Sequence, residues 1–162
     1  MELSEEITIP APVAKVYDSL NDIAILKACI PGCEELVKDS DTELEARVVL
    51  KIGPVKASFS GKVTLDTTHA PDRFRLAGAG DGGIAGFAKG GADVELTTDG
   101  DNTLLRYSAK AETGGKIAQL GSRLITSTAR KLSRAFFENF EKIMRGETSI
   151  DAGDGDTASA TT

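Results

Sequence analysis

The chain contains few of the residue types that most often carry out chemistry. Its 162 residues include no tryptophan, two cysteines and a single histidine. General acid–base catalysis most often uses histidine, and His69 has no second histidine beside it in the sequence. A structural zinc site needs four cysteine or histidine ligands, which three such side chains cannot supply. A nucleophile elbow of the form G-x-S-x-G is also missing. We therefore predict no catalytic residue and no metal site.

Long apolar runs and an excess of positive charge are missing as well. Without a run of about 18 apolar residues, no transmembrane helix is predicted. The first residues, MELSEEITIP, lack the basic and apolar regions of a signal peptide. We expect a cytoplasmic protein, in which thiols stay mostly reduced. The net charge of −6 argues against nucleic acid as a main partner.

The positive charges that are present concentrate near the C-terminus. Between Lys116 and Arg145, seven basic residues stand among two acidic ones, a local charge of +5. Such a segment indicates either contact with an anionic surface or partner, or a solvated helix face that keeps the protein soluble. The residues that we predict for such a surface are Lys116, Arg123, Arg130 and Arg134.

Two cysteines surround a Pro-Gly turn in the sequence CIPGC. Redox-active pairs usually have two intervening residues and stand at a helix N-terminus, which lowers a thiol pKa. Here three residues separate Cys29 from Cys33, and Cys29 ends a predicted helix. We interpret both as small apolar side chains at a bend.

Alternation of apolar and polar residues predicts an antiparallel sheet with one dry face. A first strand over residues 2–9 is followed by two short helices, the second capped by Asn21 and ending at Cys29. About six more strands reach Thr113. After Gly114, apolar residues recur every three or four positions and predict a helix of nearly thirty residues, about 43 Å long.

This order of elements predicts an α+β helix-grip fold. A curved antiparallel sheet of about seven strands wraps around one long C-terminal helix, and the two short helices follow strand 1. Gly121 lies on the apolar stripe of the long helix and predicts a close approach to the sheet. Residues 1–146 form the domain, and the polar residues 147–162 predict a disordered tail.

The inward row of the sheet is unusually rich in small side chains. Because protein interiors are close-packed, such a row faces either a closely docked helix or an unfilled cavity, and the pattern favours neither. An apolar cavity would be a typical small-molecule site. The small residues of this row are Ala46, Ala57, Gly78, Ala92, Ala109 and Ala111.

A glycine-rich run follows, and its first six residues, GAGDGG, match G-x-G-x-x-G literally. A dinucleotide site needs those glycines between a parallel strand and a helix, whereas here they stand between antiparallel strands. We interpret the run as a mobile connection. It could gate the mouth of a cavity with Phe87 as an apolar plug, or it could be a hairpin without a function.

Four stretches in one order carry a resemblance to a known family. They are residues 28–34, ACIPGCE; 51–56, KIGPVK; 85–90, AGFAKG; and 114–123, GGKIAQLGSR. Together they resemble the CoxG family of carbon monoxide dehydrogenase subunits, a branch of the START/Bet v 1-like polyketide cyclase superfamily. The resemblance extends over residues 1 to about 146, and it implies the helix-grip fold.

The resemblance implies a non-enzymatic accessory protein of an aerobic molybdenum hydroxylase of the carbon monoxide dehydrogenase type. It also implies a quinone-like or lipid-like ligand rather than a covalent cofactor, and help with membrane recruitment or electron hand-off. Contact with an anionic membrane, at the inner face of the cell membrane, would give the basic residues a use. The alternatives are a superfamily enzyme of cyclase or dehydratase type, and a protein adaptor without a ligand.

Under the ligand-binding hypothesis, a hydrophobic small molecule lies between the sheet and the long helix. The residues that we predict to form the wall of that cavity are Ile25, Cys29, Ile30, Ala46, Val48, Leu50, Phe59, Phe74, Leu76, Phe87, Ile117, Leu120 and Leu124.

Overall fold

The computed structural model describes residues 1–147, so most of the predicted tail, residues 148–162, lies outside the described residues. Two 3₁₀ helices, Gly83–Ala85 and Gly115–Leu120, join the last strands and the final helix. The strands and α-helices are β1 (Glu2–Ile9), α1 (Val13–Leu20), α2 (Ile23–Cys29), β2 (Cys33–Ser40), β3 (Glu43–Ile52), β4 (Val55–Asp66), β5 (Arg73–Asp81), β6 (Phe87–Asp99), β7 (Asn102–Gly114) and α3 (Ser122–Met144).

The strands form one antiparallel sheet in the order β1-β7-β6-β5-β4-β3-β2. Strands β2 to β7 follow one another as hairpins. The last strand, β7, pairs on its other side with the first strand, β1, along eight residues. The sheet curves around α3, and the two short helices follow β1. The predicted α+β helix-grip fold is confirmed.

Large apolar side chains gather in two clusters, one at each end of the concave face of the sheet. The first cluster joins α1, α2 and the end of α3, with Ile9, Leu105 and Phe140 at its centre. The second joins β3, β4 and the two 3₁₀ helices through Ile52 and Ile117, with Phe59 and Ala85 beside them. Between the clusters, the sheet presents mostly small side chains to α3.

Small residues meet one another across the middle strands. Ala92 of β6 is paired with Leu76 on one side and with Ala109 on the other. Gly78 and Gly90 are also cross-strand partners. A Cβ atom at Gly90 would lie 2.1 Å from the carbonyl oxygen of Lys110, so the backbone geometry here admits only glycine.

The predicted cap of the second short helix is wrong by one residue. Asp22, rather than Asn21, is the N-cap of α2, and its carboxylate Oδ1 accepts hydrogen bonds from the backbone N–H groups of Ala24 (2.9 Å) and Ile25 (3.3 Å). Asn21 instead ends α1. Both residue types are good N-caps, so the position of the preceding helix end decided between them.

The long helix is shorter than predicted, because Gly121 divides the apolar stripe. With a φ of +93°, Gly121 adopts a conformation that L side chains rarely adopt, and it separates a 3₁₀ helix from the 23 residues of α3. At about 1.5 Å per residue, α3 is about 35 Å long. A Cβ atom at Gly121 would contact nothing within 4 Å, so the predicted close approach to the sheet is wrong.

Thr103 gives a test of the first cluster. Its side chain is fully buried, and its Oγ1 donates a hydrogen bond of 2.7 Å to the carbonyl oxygen of Ala11. Thr103→Val should lower the free energy of unfolding by about 1–3 kcal/mol, because the buried carbonyl loses its donor. Urea denaturation measures the change. The same substitution at the exposed Thr8 of β1 is the control, and equal effects at both positions would contradict this account.

Candidate ligand cavity

A cavity of about 600 Å³ separates α3 from the concave face of the sheet. It is partly open to solvent, and its wall comes from β3 to β7, the 3₁₀ helix at Ile117 and the inner face of α3. This volume falls in the range of small-molecule sites. The sequence left a docked helix and an unfilled cavity as alternatives, and the tertiary structure contains the cavity.

About half of the predicted wall residues line this cavity. Most of them occupy inward positions of β3, β4 and β5, where strand alternation directs their side chains towards α3. The predicted residues found in the wall are Ile30, Ala46, Val48, Leu50, Phe59, Leu76 and Ile117.

Other predicted wall residues belong to the packed clusters at the two ends. Cys29 is fully buried in the first cluster, where Ile25 and Phe74 pack against it. Leu120 and Leu124 pack against the second cluster. These five residues do not line the cavity, because the apolar pattern does not distinguish residues that pack against other side chains from residues that face an open space.

Phe87 does not line the cavity either, because it lies on the convex face of the sheet. Its neighbour Ala88 lines the cavity, and strand alternation directs Phe87 to the opposite side. The Phe87 side chain is 45% exposed and covers Gly114, where a Cβ atom would lie 2.2 Å from its Cε2. The glycine run is mostly strand, with one 3₁₀ turn at Gly83–Ala85, and Phe87 does not lie at the cavity, so this structure does not support Phe87 as an apolar plug.

The predicted wall omitted most of the contribution of α3. Its inner face supplies several residues after the first turn, and the 3.6-residue periodicity of the sequence contained that signal. The sheet adds the glycine and alanine positions at which a larger side chain would fill the space. The additional wall residues include Ile125, Thr128, Ala129, Leu132, Ser133 and Phe136 of α3, and Gly78, Ala92, Ala109 and Ala111 of the sheet.

A polar cluster at one side of the cavity joins β1, β7 and α3. The hydroxyl of Tyr107 lies 2.6 Å from Glu5 Oε1 and 2.6 Å from Ser133 Oγ. Ser133 Oγ is in turn 3.2 Å from the same Glu5 oxygen, and Ser133 lines the cavity. Burial and the nearby Glu5 carboxylate raise the pKa of Tyr107 to about 12, because both disfavour the phenolate. The sequence signal for this cluster was an acidic residue at an inward position of β1.

A sequence model of one protein family matches residues 6–144, and that family is CoxG, a family of carbon monoxide dehydrogenase subunits. The chain belongs to the CoxG family. The family named from the four sequence stretches is therefore confirmed. No curated protein matches the chain.

Solved structures share the fold of this CoxG-family chain. A conserved protein from Geobacillus kaustophilus is 28% identical, with a TM-score of 0.84 over 91% of this chain and 97% of that one. A START superfamily protein from Mycobacterium smegmatis is 14% identical, with a TM-score of 0.67 over 91% and 99% of the two chains. The Zhui aromatase/cyclase from Streptomyces sp. R1128 is 13% identical, with a TM-score of 0.67 over 96% and 99%. At identities this low, the last two comparisons indicate the fold alone.

The cysteines of this CoxG-family chain are both free and occupy different environments. Burial raises the pKa of the Cys29 thiol to about 11, while Cys33 is half-buried and its Sγ lies 3.4 Å from the carbonyl oxygen of Glu35. Gly32 makes the bend between them with a φ of +75°. Within residues 1–147, no three side chains of the metal-binding types come together.

The four basic residues predicted as a contact surface are exposed but lie in two places. Lys116 and Arg123 stand beside Gly121 at one end of the molecule. Arg130 and Arg134 project from the middle of α3: Arg134 lies opposite the residues that line the cavity, and the charge of Arg130 acts on Tyr107. No helix within the described part of the chain is long and apolar enough to cross a membrane.

The polar cluster predicts that Tyr107 ionises at a higher pH than an ordinary tyrosine. In an alkaline titration followed by phenolate absorbance, Tyr107 should ionise near pH 12. This pKa lies above the unfolded value of about 10. The stability that the neutral Tyr107 contributes to the folded protein is therefore complete below pH 10 and is lost as the pH rises towards 12. Tyr107→Phe should remove the late step, whereas Tyr17→Phe should keep it. A late step that survives Tyr107→Phe would show that the assignment is wrong.

The different burial of the two thiols predicts unequal reactivity. In the folded protein at pH 8, a thiol reagent such as DTNB should modify Cys33, while fully buried Cys29 should react at least about 100-fold more slowly because reaction requires local opening. Cys33→Ser should abolish the fast phase, and Cys29→Ser should retain it. Equal rates for the two thiols, or a disulfide between them, would contradict the bend interpretation.

Proposed function

We propose that this protein is a non-enzymatic accessory component of an aerobic molybdenum hydroxylase of the carbon monoxide dehydrogenase type, and that it carries a hydrophobic molecule in its cavity. The single observation that supports this most is an apolar cavity of about 600 Å³ in a chain of the CoxG family. A packed interior would have favoured a protein adaptor without a ligand.

A quinone is the ligand class that we propose. Its flat ring and isoprenoid tail suit a wall of aliphatic residues with one phenylalanine at each end, Phe59 and Phe136. Burying about 300 Å² of such a tail at roughly 25 cal/mol/Å² contributes on the order of 7 kcal/mol before the costs of association. That is enough for micromolar binding. A bound quinone would supply an electron acceptor for the partner enzyme.

The same proposal places the protein in the cytoplasm and brings it to the inner face of the cell membrane, where long-tailed quinones dissolve. The exposed cations support contact with anionic lipid there. By moving between the membrane and the hydroxylase, the protein would assist recruitment of the enzyme or electron hand-off.

An enzyme of the cyclase type is the second candidate. It is favoured by the fold shared with an aromatase/cyclase and by the Glu5, Tyr107 and Ser133 cluster next to the cavity. These three groups satisfy one another's hydrogen bonds, and the raised pKa of Tyr107 makes the phenol a poor proton donor near pH 7. Both features support a structural role that fixes α3 to the sheet, and so we favour the carrier.

Filling the cavity tests the carrier proposal directly. Ala92→Leu adds three carbon atoms at an inward position between Leu76 and Ala109. We expect this variant to bind decylubiquinone at least about tenfold more weakly than the wild type, a loss of about 1.4 kcal/mol. Isothermal titration calorimetry measures the affinity, since the chain lacks tryptophan for a fluorescence signal.

Ala77→Leu is the matched control, because Ala77 is exposed on the convex face of the same part of the sheet. It should bind like the wild type, and both variants should unfold cooperatively. If wild-type protein does not bind decylubiquinone, and native mass spectrometry of the protein from its own host finds no small molecule, the carrier proposal fails.

A further inference from the structure

The most exposed large apolar side chain of the described residues lies on a protruding turn. Ile84 is 92% exposed, while its neighbour Ala85 is buried in the second cluster. The turn is short and firmly held: the Asp81 carboxylate accepts a hydrogen bond of 2.7 Å from the Gly83 N–H, and the Gly82 N–H donates to the Gly86 carbonyl over 2.7 Å. A fixed turn that presents an isoleucine to water has no evident benefit for folding.

Two other segments meet this turn at the same end of the molecule. A Cβ atom at Gly115 would lie 2.7 Å from the Cα of Gly86, and one at Gly53 would lie 2.7 Å from the Leu124 side chain. The three segments also share the second cluster, which contains Ile52, Ala85 and Ile117. We use the name tip for residues 51–56, 82–87 and 114–123 together.

All charged residues within the tip are cations, while Asp81, whose carboxylate holds the turn, directly precedes the turn segment of the tip. The cations are Lys51, Lys56, Lys116 and Arg123, each of them exposed, in a chain whose net charge is −6. None of the four has a carboxylate within ion-pair distance among the described residues, whereas three arginines of the sheet, Arg47, Arg75 and Arg106, are paired, Arg75 with Asp93 at 2.8 Å.

Two of these cations also oppose each other directly. Lys51 and Lys56 are cross-strand partners in the β3–β4 hairpin, and like charges in that position destabilise a sheet. An arrangement that costs stability and gains no internal partner is expected where an external anion supplies the missing charge.

We propose that the tip docks on an anionic lipid bilayer, with Ile84 inserted among the headgroups and the four cations against the phosphates. This inference deepens the membrane contact in the proposed function and rests on it. A lipid surface fits better than a protein partner, because a stable protein interface needs about 800 Å² on each side, and the exposed large apolar side chains of the tip are only Ile84 and Phe87. Ile52, Phe59 and Ile117 of the second cluster also line the cavity, so docking by the tip brings that end of the cavity to the membrane.

Vesicle co-sedimentation of the full chain tests this proposal. We expect binding to phosphatidylcholine vesicles that contain about 30% phosphatidylglycerol, and much weaker binding to phosphatidylcholine alone, with a fall as salt rises. Each cation near such a surface contributes about fivefold to affinity. The double variant Lys51→Glu/Lys56→Glu should therefore bind at least about 25-fold more weakly, while it keeps the same like-charge pair in the hairpin.

Matched variants separate the tip from the general charge of the protein. Lys131→Glu/Lys142→Glu changes the net charge equally at two exposed positions of α3 that lie outside the tip and outside the predicted contact residues, and should weaken binding far less. Ile84→Ser should weaken binding at least about threefold with an unchanged salt dependence. Val37→Ser, at another exposed apolar residue, should have no effect.

Three outcomes would overturn the proposal: no binding of the wild type to anionic vesicles at low salt, equal losses for the two charge-reversed variants, or no effect of Ile84→Ser. Decylubiquinone binding by the Lys51→Glu/Lys56→Glu variant in solution distinguishes the two proposals. If this variant still binds decylubiquinone and one of the three outcomes above is observed with vesicles, the docking surface is wrong and the carrier proposal stands.

Discussion

The structure depends on how α3 is attached to the sheet. Both ends of α3 pack against the sheet, while the middle of α3 is held away from the central strands. At one end, Phe140 and its neighbours pack against α1, α2 and the sheet. At the other end, the 3₁₀ helix places Ile117 between β3 and β4 residues. In between, paired small residues such as Ala92 and Ala109 cannot reach the helix. Because the end clusters set the distance between α3 and the sheet, a cavity remains over the middle strands instead of a packed interface.

Such a cavity is costly, because the side chains in its wall lack the dispersion contacts of a packed interior. The fold tolerates that cost through a continuous ladder of backbone hydrogen bonds across seven strands and through the polar cluster of Glu5, Tyr107 and Ser133, which joins the middle of α3 to β1 and β7. An apolar guest would restore the missing contacts. The same feature therefore connects the stability of the protein to its proposed role as a carrier.

Charged residues are arranged differently on the convex face of the sheet and at the tip. On the convex face of the sheet, Arg47, Arg75 and Arg106 pair with carboxylates across strands, Arg106 with Glu6 at 2.6 Å. At the tip, where three turns meet beside the second cluster, four cations remain without such partners among the described residues. The segments are separated in sequence by about thirty residues each, so this concentration of charge exists only after folding. Two of the four, Lys116 and Arg123, were predicted as contact residues, while Lys51 and Lys56 were not.

The sequence by itself determined the order of strands and helices, the inward and outward faces of most strands, and the family, since these depend on local periodicity and on short contiguous stretches. It also indicated a sheet whose dry face is poor in large side chains. Only the tertiary structure decided that this face and α3 leave a cavity between them, that Cys29 and Phe74 pack in one cluster, and that Phe87 faces outward. Those outcomes depend on where each turn ends and on the distance between α3 and the sheet, and contacts between residues far apart in the chain set that distance.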